Sequence, residues 1–122
     1  MLTFEINELP PLTNQRHINN WRAHHAVTRK WKERAAMEAL CLKGTMSPLP
    51  RAHLVLTRYS AVPPDSDGLV GSFKNVIDGL VVAKVLVDDK FVNIGMPTYL
   101  WEKAPRRGGR IKVSVWKPKH AD

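Results

Sequence analysis

With 122 residues, 43% of them hydrophobic, the chain has apolar content for one core and too little length for two ordinary domains. Nineteen Lys and Arg against eleven Asp and Glu give a formal charge of +8 and a pI near 10.0, a balance that attracts a polyanion, nucleic acid ahead of an anionic membrane, although it also serves plain solubility. The single cysteine, Cys41, excludes an intrachain disulfide and any zinc knuckle or ribbon.

A reducing, cytoplasmic location fits that cysteine usage. The opening MLTFEINELPPL has two acidic residues and no basic n-region, and no apolar run approaches the roughly 18 residues of a membrane span, which argues against secretion and against a membrane partner.

Leu2, Phe4 and Ile6 alternate with Thr3, Glu5 and Asn7, the period-two pattern of a half-buried strand that stops at Pro10 and Pro11. From about Thr28 to Leu42 the chain is free of Gly and Pro and rich in helix formers, with Thr28 placed as N-cap and Gly44 ending the helix. Arg29, Lys30, Lys32 and Arg34 would then crowd its first turns, which the helix dipole disfavours unless a phosphate lies near. HLVLTRY at 53–59 reads as a second strand closed by Pro63 and Pro64. Apolar residues at Leu69, Val70, Phe73, Val76, Ile77, Leu80 and Val81 have helical spacing and predict a second helix over 67–83. KFVNIG and TYLWEK read as a bent strand or two short ones, and Ile111, Val113 and Val115 mark the last strand. Trp101 and Trp116 would flank one hairpin. The order β-α-β-α-β-β predicts a single α+β domain over residues 1–122, a mixed sheet with two helices packed on it. Its sequence holds neither repeats nor low-complexity tracts.

Asp65, Asp67, Asp78, Asp88 and Asp89 gather within 25 positions of a basic chain. Asp65 and Asp67 stand at i and i+2 of a loop, where extended backbone points both side chains the same way. On an unbroken helix with Asp67 at 0°, Lys74 falls at about −20° and Asp78 at about +20°, so all three share a face beside the apolar stripe. Carboxylates with waters in the remaining positions are what Mg²⁺ binds, and nucleic-acid phosphates add further oxygens. A nearby lysine adds a point charge for the transferring phosphate. The plainer alternatives are turn and N-cap roles for Asp65 and Asp67, a one-turn ion pair between Lys74 and Asp78, and an exposed turn at Asp88 and Asp89.

DSDGLVGSFKNVIDGL at 65–80 and VLVDDKFV at 85–92 resemble the signature of the RusA-like Holliday-junction resolvases. Asp65, Asp67, Lys74, Asp78, Asp88 and Asp89 match that pattern in order, with Gly68 where Asn usually follows the second Asp. LPPLTN at 9–14 is similar to the Pro-rich, Asn-bearing entry of the family. The resemblance implies a homodimer that grips four-way DNA junctions and nicks them symmetrically in recombination and repair. It also implies Mg²⁺, with Mn²⁺ as a substitute, held by Asp65, Asp67 and Asp89, with Lys74 as the essential lysine. Asp78 and Asp88 would be positioning residues.

Arg16, Arg22, Arg29 and Lys30, interleaved with Trp21 and Trp31, suit phosphate contact and base stacking, with Trp31 the better core candidate. Arg106, Arg107 and Arg110 around two glycines suit a phosphate-contact loop or a solvated tip. His17, His24, His25, His53 and His120 have no zinc spacing, and Cys41 reads as a small core residue. A DNA-binding module derived from such a nuclease but impaired in catalysis, and a small basic RNA-binding protein, are the rival readings.

Overall fold

The computed structural model describes residues 1–12 and 21–118, without the side chain of Trp21, so the expected contacts of Asn14, Arg16, His17, Trp21 and His120 lie outside the described residues. Its elements are β1 (Leu2–Ile6), α1 (Trp21–Lys43), β2 (His53–Ser60), α2 (Ser66–Ser72), α3 (Lys74–Val82), α4 (Phe91–Ile94), β3 (Thr98–Lys103), a 3₁₀ turn (Arg106–Gly108) and β4 (Arg110–Trp116). The strands form one mixed sheet in the order β1-β4-β2-β3. β4 runs antiparallel to β1 and β2, while β3 runs parallel to β2. A parallel pair needs a crossover, and the segment carrying α2, α3 and α4 supplies it. This is the α+β domain, with helices packed on a mixed sheet, that the alternating and helical patterns imply.

Alternation decides which strand residues enter the core: Leu2, Phe4 and Ile6 of β1, Leu54 and Leu56 of β2, and Ile111, Val113 and Val115 of β4 are all buried. They meet Trp31, Ala35, Ala36 and Ala39 of α1 and Val76, Ile77 and Leu80 of α3 in one cluster. Trp31 is thus core, as the usual burial of tryptophan suggests. α1 and α3 approach closely because small residues face each other. A Cβ on Gly79 would stand 2.5 Å from the Lys32 carbonyl oxygen and 2.8 Å from the Ala35 Cβ.

Four local expectations are corrected. α1 starts at Trp21 rather than Thr28, because WRAHHAV contains no breaker and a Thr inside a helix is tolerated; Arg29, Lys30, Lys32 and Arg34 therefore sit mid-helix, away from the positive dipole end. The helix expected over 67–83 is two, broken at Phe73 (φ −96°, ψ −3°), which caps both. FVNI is a short helix, not a strand, despite its β-forming residues. Asn93 ties it down, its side chain donating to the Pro50 carbonyl at 2.9 Å and its carbonyl accepting from Ala52 N–H at 3.0 Å, and Gly95 at φ +56° ends it. Finally, Trp101 and Trp116 flank no common hairpin, since β2 lies between β3 and β4.

Candidate functional site

The loop after β2 delivers Asp65 in extended conformation (φ −74°, ψ 166°) at the N-cap of α2, where its Oδ1 accepts from Gly68 N–H at 2.8 Å. Gly68 is part of that arrangement. A Cβ there would lie 2.5 Å from Asp65 Oδ1 and 3.6 Å from Leu12, so any side chain, an Asn included, would press on the capping carboxylate. Asp67 is exposed in the first turn of α2.

Because Phe73 breaks the helix, the angular argument linking Asp67 to Lys74 does not carry across it. Within α3 it holds: Lys74 Nζ and Asp78 Oδ2 are 4.0 Å apart, one turn from each other, the lysine largely in solvent. Across from them, Asp89 backbone N–H donates to Asp88 Oδ1 at 2.7 Å, and Lys90 Nζ lies 3.9 Å from the other Asp88 oxygen. The backbone hydrogen bond from Asp89 holds the Asp88 carboxyl below its ordinary range. The Asp89 carboxyl is raised, first by its hydrogen bond with Asp88, then by desolvation and by the charge of Asp78. Lys74, Asp78, Asp88 and Asp89 therefore form one electrostatic neighbourhood.

Lys74 and Asp89 also line an open cavity of about 400 Å³, whose remaining walls are Val70, Gly71, Ile77, Phe91, Ile94, Gly95, Pro97 and Tyr99. The Phe73 ring, 6.1 Å from that of Tyr99, backs one wall from the core. The apolar part of this cavity was not foreseen; the one sequence signal was an aromatic, Phe91, two residues after the Asp88 and Asp89 pair.

Hard carboxylate oxygens suit Mg²⁺, which takes one or two carboxylates and completes its shell with water and phosphate. Among the described residues, however, no three His, Cys, Asp or Glu side chains gather closely enough to hold an ion together. Asp65 is engaged as a cap, and the set Asp65, Asp67, Asp89 is not assembled as three neighbouring ligands.

The basic residues differ in exposure and in their contacts. Arg22 and Arg29 are exposed on α1. Lys30 forms an ion pair with Glu8 and lies 5.9 Å from the centre of the Trp31 ring. Arg106 and Arg107 are exposed on the 3₁₀ turn. Arg110 is more tied: its Nε donates to Glu5 Oε1 at 3.3 Å, another guanidinium nitrogen donates to the Gly108 carbonyl at 3.2 Å, and the group stacks 4.0 Å over Tyr59. Arg58 went unnoticed in the sequence. It is buried, donates to the Pro10 carbonyl at 2.7 Å and leaves its Nε without a hydrogen bond, and burial lowers its pKa. Alternation with Leu54 and Leu56 was the available signal. By that bond Arg58 anchors the segment that brings Leu12 against Gly68.

Of the histidines, His53 Nε2 is 3.0 Å from Thr98 Oγ1, and the His24 and His25 rings meet edge to face. Cys41 is exposed rather than a core residue, because it falls on the outer side of α1. No family model matches the chain, and no curated protein matches it.

Proposed function

We propose that this chain is a Mg²⁺-dependent, structure-selective endodeoxyribonuclease that resolves four-way DNA junctions, a homodimer of the RusA-like kind. The observation that carries the reading is that Lys74, paired with Asp78, lines one open cavity together with Asp89 in a chain of net charge +8. A carboxylate group on a strongly basic chain is a poor place for DNA unless a cation offsets it, and a good place once one does. Asp67 and Asp89 would hold the ion, with Asp65 joining only by leaving its cap; Mg²⁺ held there would supply charge stabilisation at the scissile phosphate. Lys74 supplies a solvent-facing ammonium for a phosphate oxygen. Asp78 pairs with that ammonium from one helical turn away. Exposed Arg22, Arg29, Arg106 and Arg107 supply phosphate contacts that position the duplex arms. Paired nicks on opposing strands need a second copy of the site, which two-fold symmetry provides.

Two observations favour a second reading, a DNA-binding module that no longer cuts: Asp65 caps α2, and no three candidate ligands converge among the described residues. Incubating the full chain with labelled four-way, three-way and linear DNA, with and without Mg²⁺ or Mn²⁺, separates the two. Metal-dependent nicking of four-way DNA is expected. Junction binding without nicking in either metal would establish the second reading, and equal affinity for linear duplex would remove junction selectivity.

A further inference from the structure

We infer that the cavity beside Lys74 and Asp89 is a slot for one unstacked nucleobase, with Phe91 as its stacking face. The slot rests on the DNA reading of this site and would take the base next to the phosphate that meets Lys74. At about 400 Å³ the cavity falls in the range of small-ligand pockets. Its walls are apolar at Val70, Ile77, Ile94, Pro97 and Tyr99, and its charges are Lys74 and Asp89.

Phe91 is 73% exposed, an unusual position for a phenyl ring on a protein that has a core available. The ring's place is set by the backbone: α4 is pinned through Asn93 to Pro50 and Ala52 and closed by Gly95. A flat apolar surface beside an ammonium matches a nucleotide, whose base has a π-face and whose phosphate is an anion. An apolar segment of a second copy matches less well. It would cover Lys74 and Asp89 without offering either a partner, and burying charges in that way is costly.

The test uses the full chain and four-way junctions carrying 2-aminopurine at successive positions around the crossover, in Ca²⁺ so that no strand is cut. At one position, binding should raise the fluorescence of the unstacked base. Phe91→Ala should remove that rise and weaken junction binding about fivefold or more, while Val92→Ala, equally exposed but outside the cavity walls, should do neither. In Mg²⁺, Phe91→Ala should also flatten any preference for the base at the nick. Junction binding with no 2-aminopurine response at any position, or an unaltered response in Phe91→Ala, overturns the slot. So does sedimentation showing that Phe91→Ala turns a dimer into a monomer, which would give the patch to a second copy. A fluorescence response without nicking in Mg²⁺ or Mn²⁺ keeps the slot and removes the nuclease, whereas failure to bind any DNA removes both.

Discussion

Asp65→Asn and Asp65→Ala separate the two duties open to that carboxylate. Asn retains an oxygen for the Gly68 N–H, so Asp65→Asn should stay within a few tenths of a kcal/mol of the parent in urea unfolding, whereas Asp65→Ala should lose about 1 kcal/mol with the cap. If Asp65 also serves the metal, both variants lose nicking, and the stable Asp65→Asn shows that the loss is chemical. Asp67, exposed and uninvolved in the cap, gives the cleaner test of a ligand: Asp67→Asn should abolish nicking and leave junction affinity equal or higher. Lys74→Ala should lower turnover by an order of magnitude or more, with a smaller loss for Asp78→Asn. The Asp88 and Asp89 carboxyls should titrate apart in carboxyl-carbon NMR, Asp88 at lower pH and Asp89 at higher. Asp88 then contributes stability present above its unfolded pKa and lost as pH falls through its depressed folded value. Asp89 does the opposite, favouring the fold only at acid pH and losing that contribution as pH rises through its raised value. Asp88→Ala should bring Asp89 back toward the ordinary carboxylate range; an unmoved Asp89 would place the cause elsewhere.

At the level of elements, the contact between α1 and α3 decides how the site-bearing helix is held. Gly79→Ala drives a methyl into the backbone of α1 at Lys32, an atom that cannot swing aside. It should cost about 1–3 kcal/mol despite the higher helix propensity of Ala, read as a lower denaturant midpoint. Gly68→Ala makes an instructive contrast, because the atom its methyl meets is the end of a side chain. The carboxylate can rotate away, so the expected cost is the cap, about 1 kcal/mol. The same substitution should free Asp65 for other partners, and a gain of nicking in Gly68→Ala would identify the cap as a brake on the site.

For the molecule as a whole, a charge of +8 predicts binding dominated by counterion release. Junction affinity should fall by orders of magnitude between low and moderately raised salt, and reversing Arg106 and Arg107 to Glu should weaken binding to every DNA structure alike. An affinity flat in salt would remove the phosphate-contact role of those exposed arginines. Sedimentation at micromolar concentration should show a dimer, with or without junction DNA, if paired nicking is the task; a monomer in both conditions would count against it.

The strand cores and the fold class were legible because a pleat has a fixed period: Leu2-Phe4-Ile6 and Ile111-Val113-Val115 announce one buried face each, wherever their partners lie. Lys74 and Asp78 were legible for the same kind of reason, since a one-turn spacing is a local property of α3. What local spacing cannot carry is the outcome of competition between distant groups. Phe73 breaks a helix whose apolar stripe runs straight through it, and FVNI coils against its own β propensity because Asn93 finds Pro50 and Ala52. The burial of Arg58 on the segment around Pro10, and the pressing of Leu12 and Asp65 around a side-chain-free position 68, likewise join residues about 50 positions apart. The sequence by itself determined the α+β class, the basic surface and the pairing of Lys74 with Asp78. The N-cap role of Asp65, a contact three residues long, was open in the sequence as one of two alternatives. Only the tertiary structure decided that Lys74 and Asp89 share an apolar cavity with Tyr99, because its walls come from α2, α3, α4 and β3, which meet only when the crossover between β2 and β3 closes.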